Sequence, residues 1–443
     1  MKKVLVLMSV LLCLTGLAFA NGQNEADKTG SVTIKYMLWD ANQLPAYQQV
    51  ANDFMAENPG IKIEITQMGW GDYWTGIQTD MIAGIAADVF TDHLAKFKDF
   101  ASKGQLLDLE PFVIKDALNT SIYMNNLDKL WSSQDGKRYG LPKDWDTIAI
   151  VANQNMLDAA GITDAEVNNL TWNPTDGGTF EKFLAKLTLD KNGNNGLSPD
   201  FDPKQVVRNG MALNHNDDRG QAQFSPLAVS TGWMYTDGLY DSNYHFNDPK
   251  FIAAIEWMVH ATDMGFLASF DATQNNANPL FKAEIAATTF DGSWMIGDYT
   301  NNMPFPVSFK ALPAGPVGRR SMINGLGDSI WSGTKHPEEA WQWVKYLGSE
   351  KAQMTVGSFG VVFPAISSGV DKALAKYESR NIDISAFIDA AMAEDETFMY
   401  PILQNGVKVS EIMTQTFDKI FLGLATPKDA LTEANTKILG LYK

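Results

Sequence analysis

Four tryptophans in this chain stand beside carboxylates: Trp39-Asp40, Trp70-Gly71-Asp72, Trp145-Asp146 and Asp291-Gly292-Ser293-Trp294. An indole offers a flat apolar face, and a carboxylate accepts hydrogen bonds at its edge. Together they suit a ligand with an apolar face rimmed by hydroxyls, and a neutral pyranose has that shape. The stock behind them is 12 Trp, 13 Tyr and 24 Phe. Any single pair reads equally well as core packing beside a surface charge; four of them, all at predicted strand ends or loops, weaken that reading. Asp92 or His93 after Phe90, and Asp144 beside Trp145, extend the candidate set. Trp233 and Tyr235 are candidates too, with Trp233 as well suited to a core.

Catalytic constellations are missing. His93, His215, His245, His260 and His336 form no H-x-x-H or H-E-x-x-H pair, and there is neither a G-x-S-x-G elbow nor a phosphate-binding G-x-x-x-x-G-K loop. Gly325 and Gly327 lack the third glycine of a dinucleotide fingerprint and read as a tight strand-edge turn. With 52 acidic residues, counting alone leaves a glycosidase pair open. A secreted glycoside-processing enzyme and a non-catalytic adhesive surface protein are therefore the rivals to a binding protein. Asp190, Asn192 and Asn194 have the spacing of a calcium loop, but Asn195 stands where Gly is needed and Phe201 where Glu is needed. A turn-rich surface loop is the expectation there. No metal and no cofactor is expected.

The elements that carry these residues alternate. Val32–Trp39 reads as a buried strand, Pro45–Glu57 as a helix stopped by Asn58-Pro59-Gly60, and Ile61–Ile65 as a period-two strand. Trp70–Ala83 follows as a helix and Ala87–Phe90 as a short strand, which is an α/β pattern. Later, Thr147–Val151 is a strand, and the Phe281–Phe290 stretch enters another. Pro249–Asp263 and Pro337–Leu347 are helices with apolar stripes. The Gly136–Asn155 stretch, in which Lys143–Asp146 surround Trp145 with charge before a β-branched run, is where the chain is expected to cross between two halves.

At 443 residues with 45% hydrophobic content, two domains are expected. Lys2 and Lys3, the apolar run Val4–Leu17 and Ala18-Phe19-Ala20 make residues 1–20 a secretory signal cleaved after Ala20, and residues 21–30 read as a flexible lead. No stable membrane insertion is implied, since the apolar run is short for a span. The one cysteine, Cys13, lies inside that run without the small residues that lipidation wants, so the mature chain would have no disulfide. The formal charge of −17 argues against nucleic acid and anionic membrane surfaces as partners.

Taken in order, the strand ending at Trp39, Phe54 with Asn58-Pro59-Gly60-Ile61, Ala87-Asp88-Val89-Phe90, Tyr139-Gly140-Leu141-Pro142, Phe290–Trp294, and Pro337-Glu338-Glu339-Ala340-Trp341 before Tyr346-Leu347 resemble the extracellular solute-binding proteins of bacterial ABC sugar importers, the family that includes maltose-binding protein. The resemblance runs from Val32 to about Leu439. It departs at Ala86-Ala87-Asp88, where a Pro-Asp is usual. It implies an α/β fold of two lobes, the type II-like periplasmic binding protein fold, with a hinge and a central cleft. By similarity, one lobe comprises 31–143 and 291–329, and the other 144–290 and 330–443. It further implies a monomeric periplasmic protein that binds a neutral mono- or oligosaccharide and meets ABC transporter transmembrane subunits. The ligand site would draw on Trp39, Asp40, Asp92, His93, Asp144, Trp145, Asp146, Trp233, Asp291 and Trp294.

Overall fold

β-Branched and aromatic side chains from Val32 onward build the first of twelve strands among the described residues. The computed structural model describes residues 31–443 except 134, 215–218, 274–275, 394 and 403–404. The signal segment, the lead, Cys13 and His215 lie outside the described residues.

Seven strands form one sheet: β1 (Val32–Leu38), β2 (Ile61–Gln67), β3 (Val89–Asp92), β4 (Leu141–Asp146), then β10 (Ser321–Ile330), β11 (Phe363–Pro364) and β12 (Thr397–Met399). Their order is β11-β4-β10-β3-β1-β2, with β12 also on β10. The parallel trio β1, β2 and β3 comes from short strand–helix–strand units, as the sequence pattern implied. Helices Leu44–Glu57, Pro337–Leu347 and Glu350–Phe359 cover one face of this sheet, joining Tyr47, Phe54, Trp341 and Trp343 to Ile34 and Tyr36.

The other five strands, β5 (Ile148–Asn153), β6 (Leu189–Asp190), β7 (Val206–Ala212), β8 (Ala286–Gly292) and β9 (Val307–Lys310), make a second sheet in the order β6-β7-β8-β5-β9. Phe180 stacks on Phe290 of β8 with centroids 5.9 Å apart and meets Trp257 of helix Pro249–Asp263. The C-terminal helices Gly406–Phe421 and Pro427–Gly440 pack on each other, the latter also on helix Pro249–Asp263. The molecule is therefore two mixed α/β lobes, the bilobed binding-protein fold.

Strand pairing differs from the sequence expectation in three places. Lys143–Asp146 lies within a strand of its own, β4, and the chain changes sheets at Thr147, whose carbonyl accepts the Ser293 N–H at 3.0 Å. Asp291 and Gly292 stay in the second sheet, opposite Ala149 and Ile148, so the return to the first sheet comes after β9. Helix Pro337–Leu347 belongs with the first sheet rather than the second.

Gly325 and Gly327 are interior to β10, not a strand-edge turn. Close packing explains them: a Cβ on Gly327 would lie 2.5 Å from the Trp131 ring, and one on Gly325 2.7 Å from Leu127. The glycines let a helix and an indole lie against a central strand.

Candidate functional site

The C-terminal ends of β1 and β3 lie side by side because the two strands are parallel neighbours, and parallel strands deliver their ends to one edge of a sheet. Trp39 follows β1, and His93 follows β3 as the N-cap of helix Leu94–Ser102. Trp70 opens helix Trp70–Ala83 beside them. The rings form a wall. Trp39 meets Trp70, Tyr73 and Trp74 at centroid distances of 5.1, 5.3 and 5.5 Å; His93 meets Trp70 at 5.5 Å and Tyr400 at 5.2 Å. Tyr73 and Trp74 are buried, Trp39 is half-buried, and Trp70 keeps 49% of its surface exposed.

Polar groups sit against this wall. His93 Nδ1 accepts the Ala95 N–H at 3.0 Å, and the Asn324 amide of β10 lies 3.0 Å from Nε2. Burial pushes the His93 pKa down to about 3, so the imidazole is neutral. Asp92 accepts the His93 N–H at 2.8 Å and the Ser329 hydroxyl at 3.0 Å, and burial pushes its carboxyl up to about 7.

Alternation along β4 places Asp144 and Asp146 on one face and Trp145 on the other. Asp146 accepts from the Gln221 amide at 2.6 Å and the Asn324 amide at 3.4 Å, and burial plus the neighbouring Asp144 raise it well above the carboxylate range. Gln221 precedes helix Ser225–Val229 in the second lobe, so this bond spans the lobes. Asp144 Oδ2 is buried with no hydrogen-bond partner, and burial pushes that carboxyl up to about 7 despite Lys143. Lys143 itself donates to Thr91 at 2.8 Å and Tyr36 at 3.2 Å and lies 3.7 Å over the Tyr47 ring, while Tyr36 donates to Asp328 at 2.8 Å. A neighbouring Asp40 adds negative charge, its oxygens accepting from the Asn42 N–H and the Gln43 amide at 2.8 and 3.0 Å.

A family model described as bacterial extracellular solute-binding protein matches residues 40–354. The chain belongs to this family. As a solute-binding protein it is a non-catalytic component of ABC transport, which removes the enzyme rival. It is 23% identical to a binding protein of Brucella abortus over 439 residues, covering 97% of each chain. It is 22% identical to an ABC transporter extracellular-binding protein of Pyrococcus horikoshii over 428 residues, covering 92% and 86%. Among solved structures, an ABC substrate-binding protein of Listeria monocytogenes in complex with cycloalternan superposes with a TM-score of 0.79 at 20% identity, over 93% of this chain and 99% of that one. The GacH receptor of Streptomyces glaucescens, solved unliganded and with acarbose, gives 0.74 at 20% identity over 93% and 100%. UgpB of Mycobacterium tuberculosis, in complex with glycerophosphocholine, gives 0.75 at 16% over 92% and 98%.

Of the residues singled out from sequence, the solute-binding fold brings Trp39, Asp40, Asp92, His93, Asp144 and Asp146 to one region. Trp145 points into the core, its ring 4.9 Å from that of Phe363. Trp233 is also core: it stacks on Phe251 at 4.2 Å and donates to the His245 carbonyl at 2.8 Å. Asp291 accepts from the Tyr299 hydroxyl at 2.6 Å and from the Gly292 N–H at 2.8 Å. Trp294 is half-buried at the end of β8 with its ring over Gly292, where a Cβ would come within 1.9 Å. Both therefore belong to the second lobe. The sequence offers Trp70 as one of the Trp–carboxylate pairs, though not in the ligand set that the resemblance implies; Tyr400, Asn324 and Gln221 carry no local signal because only β-register and lobe packing bring them in.

Proposed function

We propose that this solute-binding protein captures a neutral sugar or oligosaccharide between its lobes, closes on it, and presents it to the transmembrane subunits of an ABC transporter. The observation that carries the reading is the Trp39–Trp70–His93–Tyr400 wall beside buried carboxylates, one of which has an oxygen without a partner. An exposed indole face covers the C–H face of a pyranose. A buried acceptor with no partner is costly until a donor reaches it, and a sugar hydroxyl is such a donor. Cycloalternan and acarbose, bound by two proteins of the same fold, are ligands of this kind. Glycerophosphocholine, bound by a third, carries a phosphate, and the negative charge that Asp40 adds at this edge disfavours a phosphodiester.

Closure follows from the same layout. The first sheet supplies Trp70 and Asp144 and the second lobe supplies Trp294 and Gln221, so a ligand touching both sides favours the closed state. Residues 1–20 direct the chain to the periplasm and are cleaved after Ala20, leaving a monomer. A thermal-shift panel of mono- and oligosaccharides tests the reading, since a ligand of the folded state raises the apparent melting temperature. Calorimetry then gives the affinity of any hit. Glycerophosphocholine is included, and a response to it alone would overturn the assignment of a neutral sugar.

A further inference from the structure

The lobes also meet at a place that no ligand atom need touch. The turn around Asp237–Tyr240 is a stiff part of the second lobe. The Tyr235 carbonyl accepts the His245 N–H at 2.9 Å, Asn243 donates to Asp237 at 2.9 Å, and Trp233 anchors the base of the loop on Phe251 of helix Pro249–Asp263. From this loop Tyr240 reaches the first lobe. Its hydroxyl donates to the Ser132 carbonyl at 2.8 Å and lies 3.4 Å from the Lys129 carbonyl, beside the end of helix Leu127–Leu130. The Lys98 ammonium sits 4.2 Å from the Tyr240 ring centroid. Tyr240 holds a left-handed backbone with φ of +73°, a region that costs a non-glycine residue energy and persists where surrounding contacts hold it.

We infer that Tyr240 is a rim latch: a positioning residue that holds the lobes together outside the ligand site and so governs how fast a captured solute escapes. Lys98 lies on helix Leu94–Ser102, whose N-cap is His93. One rigid helix therefore carries both a residue of the aromatic wall and the cation of the latch, and opening the latch moves the wall away from the second lobe. The contacts combine a hydroxyl–carbonyl bond with a cation over an aromatic face, each of moderate strength. A latch of that strength biases closure without forbidding opening, and a ligand then has less closure to drive by itself.

The inference about release rests on the sugar-binding reading; the inference about closure does not. Small-angle scattering of the ligand-free protein, as wild type, Tyr240→Phe and Lys98→Met, reads closure directly. Both variants are expected to have a larger radius of gyration than wild type with unchanged circular dichroism. Stopped-flow release of a sugar found by the panel should then be about three- to tenfold faster in Tyr240→Phe, in proportion to one lost hydrogen bond, with association unchanged. Lys98→Arg, which keeps a cation over the ring, should release as wild type does. A purely structural role for Tyr240 would lower the melting temperature and leave radius and release alone. Equal radii and equal release rates in both variants overturn the latch. If no sugar binds but the radii differ, the latch stands and the sugar reading falls.

Discussion

Buried carboxyls, Asp92 and Asp144 among them, and one buried imidazole give this protein a pH response whose sign can be derived residue by residue. Asp92 and Asp144, pushed up to about 7 by burial, hold protons when folded that an unfolded aspartate, with a pKa of about 4, has already released. Their contribution favours folding at low pH and is lost as pH rises from about 4 through 7. His93, pushed down to about 3, acts the other way: the unfolded imidazole takes a proton below about 6.5 while the folded one does not, so stability is lost as pH falls from there. The slopes oppose each other below about 6.5, and above it the carboxyl slope is left alone. The melting temperature of wild type is expected to drop between pH 6.5 and 8, and that of Asp144→Asn to drop less. Parallel curves for the two proteins would show that Asp144 is not one of the titrating groups. At the same scale, Trp70→Ala should raise the sugar dissociation constant by about thirtyfold, roughly 2 kcal/mol, with little change in stability because that indole is half exposed. Trp233→Ala should do the reverse, costing about 3–5 kcal/mol of stability as a core truncation. Calorimetry and denaturant titration on both variants separate the two roles, and a swap of outcomes would put Trp233 at the ligand.

Elements were legible where local chemistry decides them. Helices Trp70–Ala83, Pro249–Asp263 and Pro337–Leu347 begin and end where apolar periodicity, proline and glycine put them. β10 was not legible, because Gly325 and Gly327 read as a turn until Trp131 and Leu127 are seen to fill the space their missing side chains leave. β4 is hidden for a related reason: charges at Lys143, Asp144 and Asp146 are unusual inside a strand, yet each is buried against partners from β1, β3, β10 or the second lobe. The Trp39–Asp92–His93 part of the candidate site was legible as a cluster because strand ends carry it; Asn324 and Gln221 needed register and lobe packing. The Asp190 loop shows what a polar element does with its own groups. Asp190 accepts the N–H groups of Asn192, Asn194 and Asp202 at 2.8, 2.9 and 3.1 Å and the Asn194 amide at 3.2 Å. Those bonds hold its carboxyl below the usual range. Backbone donors thus occupy the oxygens that a calcium ion would use. Asp190→Ala is expected to destabilise the protein by about 1.5–3 kcal/mol, and a chelator to leave the wild-type melting temperature where it is. A chelator-induced fall would place a cation in the loop after all.

Across the whole molecule, the two tryptophans proposed to stack on the sugar, Trp70 and Trp294, sit on different lobes, and that asymmetry predicts an order of events. Trp70 belongs to a wall already assembled within the first lobe and anchored by Trp39, Trp74 and His93. Trp294 follows β8 of the second sheet, with its ring over Gly292, and reaches a ligand on the first lobe only as the lobes approach. A sugar would therefore dock first on the Trp70 wall and gain the Trp294 contact on closure. Removing Trp294 takes away interaction energy that exists only in the closed state, and a ligand shifts an equilibrium by no more than its preference for one state. Trp294→Ala is accordingly expected to keep weak binding, about thirtyfold above the wild-type dissociation constant, while losing part of the contraction that saturating sugar induces. Trp70→Ala, brought to saturation at higher concentration, should still contract because the second-lobe contact survives. Scattering at saturating ligand for the two variants distinguishes them. Full contraction and wild-type affinity in Trp294→Ala would mean that the ligand lies away from the end of β8, with closure driven by other contacts.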